Sequence, residues 1–180
     1  MDVSSEARTA PARSRTETRR RLVDAGTRLF AEGGLHGATS HEIARAAGVA
    51  AGTFYLHFKD KEELFRELFG WLIDSIHARM REAVNAEEEP VAKVRALVAL
   101  IFPSPSKNRA FFRAFVDFCG LASRREAFRL VNERFYAGCR DIDGGIVEEG
   151  MRRGVFVVRD PKEAGSTMRA IFDGLMMQWL

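Results

Sequence analysis

The sequence predicts an all-α fold, and three observations carry that reading. Only five prolines occur in 180 residues, three of them (Pro90, Pro103, Pro105) in one middle stretch, so most of the chain is free to be helical. Capping-box spacing recurs at Ser14/Glu17, Thr39/Glu42 and Asp60/Glu63, each time ahead of apolar residues at helical spacing. No stretch sustains the alternation of a strand; only 155–159 is β-prone, and it is short.

Residues 1–13 hold Ser, Thr, Pro and Arg without apolar period and read as a flexible basic arm. The first helix opens at Ser14. Leu22, Val23, Ala25, Leu29 and Phe30 recur along it, and Gly33-Gly34 ends it. A second helix opens at Thr39, buries Ile43, Ala44 and Ala47, and stops at Gly48. After a tight link a short third segment, 53–58, puts Phe54 and Phe58 on one face and turns Tyr55 and His57 elsewhere. Asp60 caps a fourth helix that carries Leu64, Leu68, Trp71, Leu72, Ile76 and Met80 to about Val84. The remainder reads as about five more helices: 90–102, about 107–120, the long stretch 123–153 as one helix or two, and a last one from Asp160-Pro161. The chain stops at Trp179-Leu180 inside that last pattern, an end that suggests a shortened chain.

Composition removes several classes of function. Hydrophobic residues make up 46% and charged residues 29%, an ordinary globular balance. No apolar run approaches the roughly 20 residues of a membrane helix, and the N-terminus lacks the apolar core of a secretory signal. A cytoplasmic location without a membrane partner is expected. Cys119 and Cys139 are too few for a disulfide framework or a four-ligand zinc site and read as buried free thiols. The histidines at 36, 41, 57 and 77 form no ligand or catalytic spacing, and no HExxH, GxSxG, P-loop or dinucleotide glycine pattern occurs. No catalytic residue, metal or cofactor is assigned.

Two short helices, a turn bearing Gly48, small Ala44 at the crossing and Phe54 as a plug are the physical recipe for a helix-turn-helix, although any helical hairpin shares it. The full string is more specific. Leu29-Phe30-Ala31-Glu32-Gly33-Gly34, Ala38-Thr39-Ser40, the run from Ile43 to Val49, and the run from Gly52 through Tyr55, His57 and Lys61 to Leu64 resemble the TetR family of bacterial transcriptional regulators. The resemblance covers about residues 16–65; the rest matches only in length and helical character. It implies a three-helix DNA-binding domain over 14–60 and a larger helical ligand-binding and dimerisation domain over 61–180. It also implies a homodimeric repressor that leaves a palindromic double-stranded operator when a small molecule binds.

Laid on these residues, the resemblance implies phosphate contacts from Thr39 and Ser40 and a base contact from His41. Ala51, Gly52 and Thr53 would open the recognition helix in the major groove, with Leu56 beside them. Tyr55 matches a phosphate-binding tyrosine, His57 lies near the same backbone, and Lys61 matches a cation near phosphate. Ala50 departs from the family, which usually has a hydroxyl residue there, and Ala51 is shorter than usual, so few base-reading side chains remain. Charge agrees modestly: through Lys61 there are ten Lys/Arg against seven Asp/Glu. Arg8, Arg13, Arg15, Arg19, Arg20 and Arg21 cluster ahead of the helix-turn-helix and are expected to reach phosphate or the minor groove.

Eight of the eighteen aromatics lie between Phe102 and Tyr136. Phe111, Phe115 and Phe118 share one helical face; Phe112, Val116 and Cys119 share the next. Each ring alone reads as core, but their excess favours a cavity, because rigid rings leave gaps and offer stacking surfaces. Trp71, Phe102, Phe128, Phe135, Tyr136, Met168, Phe172 and Met176 are the further candidates to line it, with Arg113 and Asp117 as the nearest polar contacts. A small apolar or aromatic effector is expected. The last two helices read as an interface: Gly138, Ile142, Gly145 and Ile146, then Ala164, Gly165, Met168, Ile171, Phe172, Gly174, Leu175, Met176 and Trp179. The resemblance supplies the partner, the same helix pair of a second copy in a four-helix bundle.

Overall fold

A computed structural model describes residues 10–102 and 109–178. Among them are eight α-helices and no strand, so the expected all-α class holds. The helices are α1 (Ala10–Gly33), α2 (Ser40–Ala46), α3 (Ala51–Tyr55), α4 (Lys61–Asn85), α5 (Pro90–Ile101), α6 (Arg109–Ala122), α7 (Glu126–Arg152) and α8 (Pro161–Gln178). Most of the arm expected over 1–13, the Pro103-Ser104-Pro105 break and the Trp179-Leu180 end lie outside the described residues. The chain divides into two compact units between Leu68 and Phe69.

In the first unit α1 begins at Ala10, four residues before the expected Ser14. Pro11 suits a first turn, where its missing N–H has no partner to lose. Ser14 is therefore no cap: its carbonyl accepts the Thr18 hydroxyl at 2.9 Å, and Glu17 turns to Arg20 at 2.7 Å. Leu22, Ala25 and Phe30 bury the inner face of α1. Phe30 meets Phe65 of α4 edge-on at 5.1 Å, and Leu64 fills the space over Gly26. The first two turns of α4 thus belong to this core, and the division falls past the boundary expected at residue 60. The Thr39/Glu42 capping box is present in both directions. Asp60 accepts the Glu63 N–H at 2.8 Å, while Glu63 reaches back to the Lys59 N–H at 2.6 Å, one residue earlier than a capping box would. A 3-10 turn, Leu35–Gly37, was not expected; it seats Leu35 in the core.

In the second unit, four helices and not about five follow α4, because α7 runs unbroken from Glu126 to Arg152. Gly154 ends it at φ 69°, and Phe156 folds back over Gly150. The β-prone residues 155–159 form no strand. Phe69 and Phe118 stack at 4.4 Å, with Phe128 beside Phe118 at 5.8 Å. The α7–α8 contact is close: a Cβ on Gly165 would stand 2.8 Å from the Gly144 nitrogen. Much of the surface expected to meet a second copy faces this unit instead. Ile142, Ile146, Gly165, Phe172 and Met176 are buried, and the His77 ring covers Gly138. The solvent face of α8 carries Ile171, Leu175 and Met177. Both thiols are free, and burial pushes them up, Cys119 to about 11 and Cys139 to about 12. No described helix is long and apolar enough to cross a membrane.

The helix contact yields a matched pair of expected outcomes. Gly165→Ala forces its methyl against backbone and should cost about 1–3 kcal/mol as overpacking. Gly120→Ala, whose Cβ meets open space, should leave the melting temperature unchanged or raise it slightly. Thermal melts of the two variants beside the parent check the contrast.

Candidate nucleic-acid interface and ligand cavity

Gly48 takes φ 67° at the turn between α2 and α3, with its N–H on the Arg45 carbonyl at 3.0 Å and the Val49 N–H on the Ala44 carbonyl at 3.0 Å. Ala44 and Phe54 are fully buried beneath the two helices. The opposite side is open. The rings of His41 and Tyr55 meet edge-on at 6.5 Å, and Leu56, the C-cap of α3, is 69% exposed. Gly52 is exposed with open space where a Cβ would stand, so a flat partner can approach the backbone there. Ser40, Ala51 and Thr53 are half-buried. His57 is half-buried too; burial first, then Arg15 and Arg19, hold its imidazole below the usual range and hence neutral. Ala50 is the N-cap of α3, and no side chain caps that helix.

Two candidates are engaged inside the unit. The Thr39 hydroxyl donates to Glu42 Oε2 at 2.9 Å and accepts the Glu42 N–H at 3.2 Å. Lys61 Nζ donates to the carbonyls of Leu35 at 2.8 Å and Ala38 at 2.9 Å, which leaves one of its three N–H groups for a phosphate. Four arginines of the cluster also meet protein groups within this unit. Arg15 donates to the Leu56 carbonyl at 3.4 Å and Arg21 to the Gly48 carbonyl at 3.1 Å. Arg19 grips Glu67 at 2.5 and 2.6 Å with its guanidinium over Phe58, and Arg20 joins Glu17 and Asp24. The register of α1 puts these arginines against the turn, the end of α3 and the start of α4. The side chains of Arg8 and Arg13 lie outside the described residues.

The second unit holds a half-open cavity of about 270 Å³. Leu72, Ile76, Arg79 and Met80 of α4 line it, with Leu100 and Ile101 of α5, Phe112 and Phe115 of α6, Phe135 of α7, and Arg169, Phe172, Asp173 and Met176 of α8. Of the candidates, Phe112, Phe115, Phe135, Phe172 and Met176 are therefore on its wall. Trp71 is half exposed and off it; the helix phase offers Leu72 instead. Phe118 and Phe128 are core around Phe69. Phe102 packs edge-on to Phe172 at 6.3 Å without lining the cavity. Met168 lines a separate depression with Val158 and Ile171. Tyr136 hydrogen-bonds Asp173. The side chain of Phe111 lies outside the described residues.

The polar lining is not Arg113, which is exposed, or Asp117, but Arg79, Arg169 and Asp173. Arg169 donates through Nε and Nη2 to the two oxygens of Asp143, both at 2.9 Å, and both residues are buried. Burial pushes the Asp143 carboxyl up to about 6, with Arg169 pulling the other way. Burial also raises Asp173, opposed first by the Tyr136 hydroxyl. Sequence reasoning missed the Asp143–Arg169 pair. Its signal was a charge on each apolar face: Asp143 among Cys139, Ile142 and Ile146, and Arg169, with Asp173 one turn on, among Gly165, Phe172 and Met176.

Residues 22–68 match the family model of the bacterial regulatory proteins, tetR family, and residues 90–180 that of the BetI-type transcriptional repressor, C-terminal. Among curated proteins, the HTH-type transcriptional repressor KstR2 of Rhodococcus jostii is 29% identical over 138 residues, 77% of this chain and 67% of that protein. The chain spans 56% of the Mycobacterium tuberculosis protein of the same name. Among solved structures, the regulator FadR from Bacillus subtilis in complex with stearoyl-CoA aligns with TM-score 0.68 at 25% identity, over 89% of this chain and 86% of that one. A regulator from Saccharomonospora viridis in complex with choline shares the fold with TM-score 0.81 at 23% identity, over 91% and 85%.

The geometry of Lys61 and Thr53 leads to different expected outcomes. Lys61→Ala strips two carbonyls of their donor and should destabilise the first unit by about 1–3 kcal/mol. With one N–H left for phosphate, it should lower the salt slope of DNA binding by no more than ~0.9. Thr53→Ala should alter sequence preference with little change in stability. Chemical denaturation and salt-dependent anisotropy on operator DNA measure both.

Proposed function

Because the chain belongs to the TetR family of bacterial transcriptional regulators, we propose that it is a dimeric, ligand-responsive repressor. It binds a palindromic operator through α2 and α3 and leaves when a small apolar or aromatic molecule fills the cavity of α4–α8. One observation carries this reading: a single chain holds both an open helix-turn-helix surface and a half-open cavity walled by four phenylalanines. The family is one of regulators, not enzymes.

On the DNA side, His41, Thr53 and Leu56 are the base-reading candidates, with Leu56 or the Thr53 methyl suited to a thymine methyl. Tyr55 and Ser40 serve phosphates, and the Ala51-Gly52 backbone lets the helix approach closely. His57, neutral and half-buried, supports the same surface. Thr39 positions α2 through its cap, and Lys61 acts on phosphate through its one remaining N–H.

On the ligand side, Phe112, Phe115, Phe135, Phe172 and Met176 form the apolar wall. The FadR complex with stearoyl-CoA supports a small-molecule site in this fold. The helix α4 starts at Lys61 and also supplies Leu72, Ile76 and Met80 to the cavity. A ligand that displaces α4 changes both ends of one helix, and the coupling is reciprocal: ligand weakens operator binding by the factor that operator weakens ligand binding. The dimer uses the exposed stripe of α8, Ile171, Gly174 and Leu175, recurring at spacings of three and four around a small residue.

Three measurements test this reading. Fluorescence anisotropy on the promoter DNA of the chain's own gene region should give binding that falls steeply with salt, to half-sites roughly 34–36 Å apart. Salt-insensitive binding, or none, overturns it. Sedimentation should find a dimer, and Leu175→Glu should give a folded monomer with much weaker operator binding. Leu100→Trp, which fills the cavity from α5, should leave operator binding intact while abolishing the response to small aromatic compounds.

A further inference from the structure

We propose that α3 selects a pyrimidine C5-methyl group in the major groove, on thymine or on 5-methylcytosine, and that Leu56 is the side chain that reads it. The inference rests on the reading of α2 and α3 as the DNA surface and adds the base chemistry that α3 recognises.

Helix phase puts Leu56 at the outermost point of α3. At about 100° per residue, buried Phe54 and Phe58 mark the inner face, and Gly52 and Leu56, four residues apart, stand opposite them. Leu56 continues the helical turn as C-cap, at φ −76° and ψ −15°, with its side chain exposed. Thr53 and Tyr55 flank it on either side. Gly52 carries no side chain and has open space where a Cβ would stand, so nothing next to Leu56 on this face holds a base away from it. The leucine is continuous with the His41–Tyr55 pair on the open side of the helix-turn-helix. Arg15 donates to the Leu56 carbonyl at 3.4 Å, so a cation stands on the backbone of this apolar residue, where a polyanion is drawn close.

The side-chain chemistry of the segment decides which base edge it suits. From Val49 to Leu56 no side chain is an amide, a guanidinium, an ammonium or a carboxylate. Those are the groups that recognise guanine, adenine and cytosine edges by hydrogen bonds. What α3 holds outermost is the isobutyl group of Leu56. Set against a polar base edge, that group leaves the edge's donors and acceptors without water or partner, which is costly. Set against a C5-methyl, it buries apolar surface on both sides. Among the four bases only thymine presents that methyl in the major groove. 5-Methylcytosine carries the same methyl at the same ring position while pairing with guanine, so a contact to the methyl itself accepts both.

Base analogues in the bound segment of the promoter DNA of the chain's own gene region test this by anisotropy. Replacing thymines by uracil one at a time removes single methyls and keeps the pairing. In each half-site at least one replacement should weaken binding about fourfold, the worth of one buried methyl-sized group. A C·G pair at that position should bind worse than T·A, and 5-methylcytosine in it should recover about the same factor. Leu56→Ala should bring the thymine-to-uracil ratio close to one. Thr53→Ser, which deletes the neighbouring methyl and keeps the hydroxyl, should leave the ratio unchanged. Uracil tolerated within about 1.5-fold at every position overturns the proposal, as does a ratio that survives Leu56→Ala or vanishes with Thr53→Ser. If Leu56→Ala does not fold, Leu56→Gln decides: an amide there should move the preference at that position from thymine toward adenine, and an unmoved preference overturns the proposal. Equal binding of thymine and uracil DNA sinks this inference and leaves the regulator reading standing; binding to neither sinks both. A methyl preference that depends on Leu56, without release by any small aromatic compound, upholds the inference and counts against ligand response.

Discussion

The second unit depends on one buried bond, the bidentate contact of Arg169 on α8 with Asp143 on α7. Taking both ions out of water is costly, and the attraction between them does little more than offset that cost. What the pair fixes is register. A planar guanidinium on a carboxylate tolerates little sliding or rotation, and Gly165 against Gly144 lets the backbones come close enough for it to form. With α8 held at that rotation, Phe172, Asp173 and Met176 face the cavity while Ile171 and Leu175 face solvent. Removing either partner strands the other charge in the apolar contact. The cavity wall and the outer stripe are thus two sides of one constraint.

The first unit solves a related problem with its cations. Lys61 ties α4 to the loop ahead of α2 through two carbonyls, and Arg21 ties α1 to the carbonyl of the Gly48 turn. Arg19 joins α1 to α4 through Glu67. A helix-turn-helix of two short helices has little core of its own, Phe54 and Ala44 at its centre. These polar ties supply part of the rigidity that a larger core would give. Their positive charge still contributes to the field that draws a polyanion, and the N–H groups not bonded to protein stay available to one.

What the sequence made legible follows the range of the forces involved. The caps at Thr39 and Asp60 and the turn at Gly48 are local chemistry, decided within four residues, and they read correctly. Ser14 carried the same signal but lost to Pro11, which starts the helix a turn earlier. The cavity was legible as a class and not in detail. An α6 apolar on two faces cannot say which rings meet a void, and one step of helix phase separates Trp71 from Leu72. Phe118 and Phe128 became core because Phe69, far away in sequence, stacks there. Lys61 was assigned by family pattern and the arginines by their clustering in the sequence, and neither signal names the protein groups they meet. The buried ion pair needed charges on the apolar faces of two helices to be considered together.

The bare start of α3 has a consequence for how tightly the molecule holds its target. A five-residue helix with Ala50 at its cap is not preorganised by its own sequence. Its order comes from Phe54 below and from whatever lies above. Some of the free energy of any complex made by this surface is consumed in stiffening that segment, so affinity sits below what the contact area alone would give. A lower resting affinity narrows the gap that a second ligand must bridge to reverse occupancy. For the regulator proposed above, the missing hydroxyl is then a sensitivity setting: a surface with less grip on DNA is one that a weakly discriminating small molecule can release.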